Sequence, residues 1–281
     1  MKKILYLSLF ICITKFSMIK TKIIEIKNIS EVLKYINDEN VSKTLILFDI
    51  DNTLTEPEND FGGDIWFTAK VKYEINQGLS EIKAVRKVLT SYNTIQKNIK
   101  IKPVEVNTVE TIHKIQKQNI ITLALTSRSE IVLEYAYNQL KSINILFDSK
   151  IFDQDKISLK NQKFPAFYYK GLIGCDRNSK GKCLKEFMQM AQKEQPKLKN
   201  IKKIIFIDDK EKYLKEVENE FKKDDITFLG LRYSYLDEKV KNYVLKNESF
   251  KKYPFLTNIK NKVISIFKNI FDDKKYKTSS A

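Results

Sequence analysis

Three short apolar runs, each ending in acids or hydroxyls, constrain this chain more than any other feature. Residues 45–48 (Leu-Ile-Leu-Phe) run into Asp49-Ile50-Asp51-Asn52-Thr53. Residues 121–125 run into Thr126-Ser127-Arg128, and residues 204–207 (Ile-Ile-Phe-Ile) run into Asp208-Asp209. A run that is apolar at every position, not at alternate ones, suits a strand buried on both faces. Helical spacing fills the gaps: Val109, Ile112 and Ile115; Val132, Leu133, Ala136 and Leu140; Cys183, Leu184, Phe187 and Met190; Leu214, Val217 and Phe221. Residues 226–229 read as a last strand. Strands alternating with helices predict an α/β fold, an open and mostly parallel sheet flanked by helices.

One stretch interrupts the alternation. Residues 57–107 are roughly fifty residues, longer than an ordinary connection, and should form structure of their own. Ile82, Val85, Val88 and Leu89 have helical spacing. The stretch is read as a mostly helical cap inserted over the strand ends. Phe61, Trp66 and Phe67 supply either aromatic surface or the core of that cap. The organisation expected is therefore a core of 21–56 and 108–250, an inserted cap at 57–107, and separate segments at 1–20 and 251–281.

Residues 1–20 have the order of a secretory leader, with Lys2 and Lys3 preceding an apolar stretch at 4–14. Lys15 stands where a small residue would suit cleavage after Ser17, and the alternative is a first buried strand. The leader reading predicts an exported protein, periplasmic or secreted. At the other end, Ile259, Val263, Ile266, Phe267 and Ile270 share one helical face, with Lys260, Lys262 and Lys268 elsewhere. This basic amphipathic helix could touch a membrane surface or a protein through 258–271, or pack on the core.

The formal net charge is +16, which raises the question of nucleic acid. Of 51 cations only Arg86, Arg128, Arg177 and Arg232 are arginine. Base readout and forked phosphate contacts favour arginine, so the lysines read as a solvated surface and no specific nucleic-acid partner is expected. A single histidine, His113, excludes a multi-histidine metal cluster and reads as a surface residue. Cys175 and Cys183 read as buried thiols or as a pair, and neither has the setting of a nucleophile.

In an open α/β sheet, ligands bind beyond the carboxyl ends of the strands. Here Asp49, Asp51, Asp208 and Asp209 would meet Thr126 and Ser127 at one edge. Clustered acids repel and call for a cation, and ligation by oxygen alone suits Mg²⁺ better than zinc. A divalent ion beside a carboxylate nucleophile is a phosphoryl-transfer arrangement. Asp49 and Asp51 fall on the same side of an extended backbone, with Ile50 turned away.

These residues resemble the haloacid dehalogenase-like (HAD) superfamily. Phe48-Asp49-Ile50-Asp51-Asn52-Thr53-Leu54 is similar to its first motif, residues 125–128 to its second, and Asp208-Asp209 to its fourth. Ser179-Lys180-Gly181-Lys182-Cys183-Leu184 fits the third, a lysine opening a helix. Trp66-Phe67, Pro103-Val104-Glu105, residues 125–128 and residues 207–210 resemble a bacterial HAD-like family known mainly as a domain of unknown function. The resemblance implies a Rossmann-like fold and an Mg²⁺-dependent phosphatase acting on a small phosphorylated substrate. It implies Asp49 as nucleophile, Asp51 as general acid/base and, through its carbonyl, a metal ligand. Thr126 and Ser127 would hold the phosphoryl group. Lys180 would neutralise nucleophile and phosphate, and Asp208 and Asp209 would bind metal with Asp49. Lys182 is the rival of Lys180, and Lys170 a remoter one. Arg128 either contacts substrate phosphate or braces an acid. A second reading is a secreted protein of this fold that binds a partner with little turnover.

Overall fold

The computed structural model describes residues 21–36 and 38–245. The leader expected at 1–20 and the amphipathic helix with its contact segment 258–271 lie outside the described residues. The described residues divide into two compact units, one from 21–56 and 102–236, the other from 57–101 and 237–245.

The larger unit is α/β. It starts with β1 (Thr21–Ile26), two 3-10 helices (Ile29–Tyr35 and Asp38–Lys43) and β2 (Thr44–Phe48). After the insertion come α3 (Thr108–Gln116), β5 (Ile121–Thr126) and α4 (Glu130–Ser142). Three short strands follow: β6 (Lys156–Leu159), β7 (Ala166–Tyr169) and β8 (Leu172–Gly174). The chain then forms α5 (Lys180–Glu194), α6 (Pro196–Lys199), β9 (Lys203–Asp208), α7 (Glu211–Phe221) and β10 (Thr227–Tyr233). The sheet has eight strands in the order β1-β10-β9-β2-β5-β8-β7-β6. The six strands from β1 to β8 in that order are parallel, and β7 and β6 extend the edge antiparallel.

The apolar runs behave as the two-faced burial requires. Ile46 and Phe48 of β2 pack on one face with Ile112 and Ile115 of α3 and Leu133, Ala136 and Leu140 of α4. Leu45 and Leu47 pack on the other with Leu184 and Phe187 of α5 and Leu214, Val217 and Phe221 of α7. Each face is a continuous buried cluster, the main apolar driving force for this unit. The chain leaves β2 outward through β5 to β8, then returns to β9 on the other side of β2. The strand order therefore reverses beside β2, the place where such sheets bind ligands.

The hairpin of β7 and β8 turns on Lys170 (φ 46°) and Gly171 (φ 89°), the left-handed pair that a two-residue turn needs. A side chain on Gly171 would stand 2.7 Å from Phe147 Cβ.

The smaller unit carries α1 (Asp64–Asn76), α2 (Glu81–Gln96) and α8 (Asp237–Asn242). Phe61, Trp66, Val88, Tyr92 and Ile95 form its core, flanked by Phe67, Leu89 and Tyr243. The aromatic residues of the insertion are thus core. The buried stripe of α2 is Ala84, Val88, Tyr92 and Ile95, whereas Ile82 is exposed, so the apolar face is rotated from the one the spacing suggests. Short strands β3 (Thr55–Pro57) and β4 (Ile101–Pro103) pair with each other.

The expected insertion runs to residue 107, but residues 102–107 belong to the larger unit. Val104 donates its N–H to the Leu54 carbonyl at 3.1 Å. Glu105 is buried, accepting hydrogen bonds from the Ile29 N–H at 2.5 Å and the Tyr233 hydroxyl at 2.6 Å.

Candidate active site

Strand register brings the acids together. Phe48 of β2 stands opposite Ile207 of β9 and Ala124 of β5, so the residues beyond these strand ends are neighbours. The Asp49 N–H donates to the Ile207 carbonyl at 2.8 Å, carrying the pairing one residue past the strand. Asp51 follows in a turn where Asn52 takes φ 60°, a left-handed conformation that asparagine tolerates. The Asp209 N–H donates to Thr53 Oγ1 at 3.1 Å, and Asn52 Nδ2 donates to Asp209 Oδ2 at 3.4 Å.

Lys180 is the first residue of α5 and is wholly buried. Its Nζ donates to Asp49 Oδ1 and to Asp208 Oδ2, both at 2.7 Å. It also stands 4.3 Å from the Tyr213 ring centre, where the ring face favours a cation. Lys182 is exposed, and Lys170 pairs with Asp155, so of the three candidate lysines only Lys180 reaches the acids.

The burial of Lys180 depends on its neighbour. A Cβ on Gly181 would lie 2.2 Å from the Glu216 carbonyl oxygen, so only glycine lets α5 approach α7 this closely. The Glu216 carboxylate accepts the Lys180 N–H at 2.8 Å, satisfying one of the open N–H groups at the start of α5. Gly181→Ala should therefore cost about 1–3 kcal/mol through overpacking, read as a lower urea midpoint with unchanged slope. An unchanged midpoint would mean that the helices separate freely.

Burial dominates the ionisation of these groups. It pushes the Asp49 carboxyl up to about 7, with the Asp208 and Asp51 charges adding and the Lys180 ammonium opposing. Burial likewise raises Asp208 against the pull of Lys180 and of the Lys210 N–H. For Lys180, burial favours the neutral amine, but the Asp208 and Asp49 carboxylates outweigh it and hold the ammonium. Burial also works against the ionised form of Asp51, yet the Arg128 guanidinium overrides it and holds that carboxyl below its usual range.

Arg128 braces an acid. Its Nε donates to Asp51 Oδ2 and its Nη2 to Asp51 Oδ1, both at 2.9 Å. Thr126 closes β5 and is buried, and its Oγ1 accepts the Arg128 N–H at 3.2 Å, which leaves its proton to donate elsewhere. Ser127 is half-buried in the same turn.

Asp49, Asp208 and Asp209 each offer a carboxylate oxygen within 4.8 Å of the others, a group that could hold a metal ion. The side chain of Asp51 is not part of that group. Three of the acids are ion-paired, Asp49 and Asp208 through Lys180 and Asp51 through Arg128, with Lys210 near enough to act on Asp51 and Asp208. Acids gathered this closely repel one another, and a hard divalent ion on oxygen ligands suits such a group.

The remaining reactive side chains stand apart from this chemistry. Cys175 and Cys183 are free, buried thiols, and burial raises Cys175 well above its ordinary value with its neighbour Cys183 adding to the effect. His113 is exposed, with Nε2 2.9 Å from the Asn144 carbonyl.

Residues 25–274 match the model of a family described as "Protein of unknown function (DUF2608)". The chain belongs to that family. Family membership agrees with the resemblance of its short stretches to a domain of unknown function. A relative from Chlamydia trachomatis serovar D, named "Putative outer membrane protein", is 28% identical over 214 residues, covering 75% of this chain and 77% of its own. One of the same name from Chlamydia muridarum is 27% identical over 234 residues, covering 83% and 84%. A solved structure described as a "Putative Phosphatase from Clostridium difficile" superposes with a TM-score of 0.38 at 15% identity, covering 70% of this chain and 97% of that one.

Glu216 and Gln139 are site residues that sequence reasoning passed over, for they stand 36 and 11 residues from their partners Lys180 and Arg128 and carry no local mark.

Proposed function

We propose that this DUF2608 protein is a Mg²⁺-dependent phosphohydrolase that cleaves a phosphomonoester through an aspartyl-phosphate. The observation that carries this reading is the buried Lys180 ammonium bridging Asp49 and Asp208 at 2.7 Å beside the three-acid group. A lysine neutralising a carboxylate at the rim of a metal-binding acid cluster suits attack on an anionic phosphoryl group. In this reading Asp49, Asp208 and Asp209 hold Mg²⁺, which would supply charge stabilisation for the phosphoryl oxygens.

The chain's own residues then divide the work. Asp49 Oδ1 is engaged by Lys180, so Oδ2 attacks phosphorus. The P–O bond to the leaving alcohol breaks as the P–Oδ2 bond forms, and the leaving oxygen takes its proton from the Asp51 carboxyl, which regains it in the next step. The Thr126 hydroxyl, accepting from the Arg128 N–H, donates to a phosphoryl oxygen. Asp51 then takes a proton from the water that attacks the phosphoaspartate, releasing phosphate and restoring Asp49.

The test is a panel of phosphomonoesters assayed with Mg²⁺ and with EDTA. Turnover is expected with Mg²⁺, vanishing in chelator and returning on readdition, with Asp208→Ala weakening the metal response. Full activity in EDTA would overturn the metal role, and no turnover on any ester would overturn the phosphohydrolase reading.

We also propose that the protein is exported to the cell envelope. The leader-like order of residues 1–20 and the name carried by the chlamydial relatives support this. Among the described residues no helix is long and apolar enough to cross a membrane. Fractionation that leaves the full chain in the cytoplasm would overturn the proposal.

A further inference from the structure

We infer that Arg128 is a positioning residue that acts through Asp51, with Gln139 aligning it. The inference rests on the phosphohydrolase reading and assigns a task within the same site.

The geometry is specific. The guanidinium fork meets both oxygens of Asp51 at 2.9 Å, which fixes the plane of that carboxylate as well as its position. The third nitrogen, Nη1, donates to Gln139 Oε1 at 2.7 Å, so an amide on α4 sets the rotation of the fork. Arg128 and Gln139 are both buried. The backbone of Arg128 is tied down as well: its N–H donates to Thr126 Oγ1 at 3.2 Å and its carbonyl accepts the Asp176 N–H at 3.4 Å.

Asp51 needs this support because of where it stands. It lies beyond the end of β2, followed by the left-handed Asn52, and its side chain is 19% exposed. A carboxylate at the mouth of a site keeps several rotamers unless something holds it. One residue thus ties the hydroxyl placed to hold a phosphoryl group to the carboxylate placed to handle its proton, across 77 residues of sequence. The choice of arginine is also informative. In a chain with only four arginines among 51 cations, a lysine here would supply the charge without the fork.

The experiment is a double-mutant cycle in kcat and KM with p-nitrophenyl phosphate and Mg²⁺. Four full-length proteins are compared: wild type, Arg128→Met, Asp51→Asn and the double variant. Arg128→Met should lower kcat roughly tenfold to a hundredfold, the scale of a misplaced catalytic group, with KM nearly unchanged. The double variant should be no slower than Asp51→Asn alone. Arg128→Lys should keep the fold but recover only part of kcat, and Gln139→Leu should give a smaller loss. Losses that multiply in the double variant would overturn the inference, as would a raised KM with unchanged kcat, which would make Arg128 a substrate contact.

If Arg128→Met fails to fold, wild-type kcat in Arg128→Lys overturns the inference and a reduced kcat upholds it. If wild type turns over no phosphomonoester, the phosphohydrolase reading fails separately. The same four proteins are then compared by thermal unfolding. Non-additive shifts in Tm uphold the coupling of Arg128 to Asp51, and additive shifts overturn it.

Discussion

Asp49→Asn is expected to abolish turnover, by several orders of magnitude, in a protein that melts no lower than wild type. The amide keeps the shape of the carboxylate but lacks a nucleophilic oxygen, so the covalent step has no attacking atom. Fold should survive because the amide oxygen can still accept from Lys180, as Asp49 Oδ1 does at 2.7 Å. The electrostatics favour the variant. Lys180 faces two buried carboxylates, Asp49 and Asp208, so the trio carries one excess negative charge. Burial already pushes the Asp49 carboxyl up to about 7, a sign that the ionised form is held against its environment. Removing that charge relieves a cost that the native chain carries for function. Paired measurements of kcat and Tm check this. Retained activity would remove Asp49 as nucleophile, and a sharp fall in Tm would make it a structural acid.

That trade between stability and chemistry also explains which parts of the molecule could be read in advance. The β2, β5 and β9 runs were legible because each is apolar on both faces, and their acidic or hydroxyl ends mark the edge where a ligand would sit. Lys180 was legible because it opens a helix, at the position where sequence and helix geometry coincide. The edge formed by β8 and the antiparallel β7 and β6 was not read. These strands are only three or four residues long; β6 is largely exposed or half-exposed and β7 is half-exposed at alternate positions, and β8, though buried, is too short to give a continuous apolar run. β1 was missed for a related reason, being an edge strand with Lys22 and Glu25 facing out. The role of Arg128 stood between two readings until its partner was known. Which acid it braces depends on how β5 lies against β2, and nothing near residue 128 records that.

The largest combined effect is expected at Lys180. Lys180→Met should lose turnover and also destabilise the fold by about 3–5 kcal/mol, the usual cost of removing one side of a buried ion pair. The methionine fills the volume but leaves Asp49 and Asp208 facing each other in a buried space with no ammonium between them. Part of that cost should be recovered by protonation, because a buried carboxylate without its partner takes up a proton more readily. The stability deficit of the variant relative to wild type should therefore shrink as pH falls. Lys182→Met is the matching control: Lys182 is two residues along, on the exposed side of the first turn of α5, and should change Tm and kcat little. Urea unfolding of both variants at two pH values, with kcat beside it, separates the cases. Equal effects at the two positions would mean that the bridge of Lys180 between Asp49 and Asp208 contributes nothing of its own.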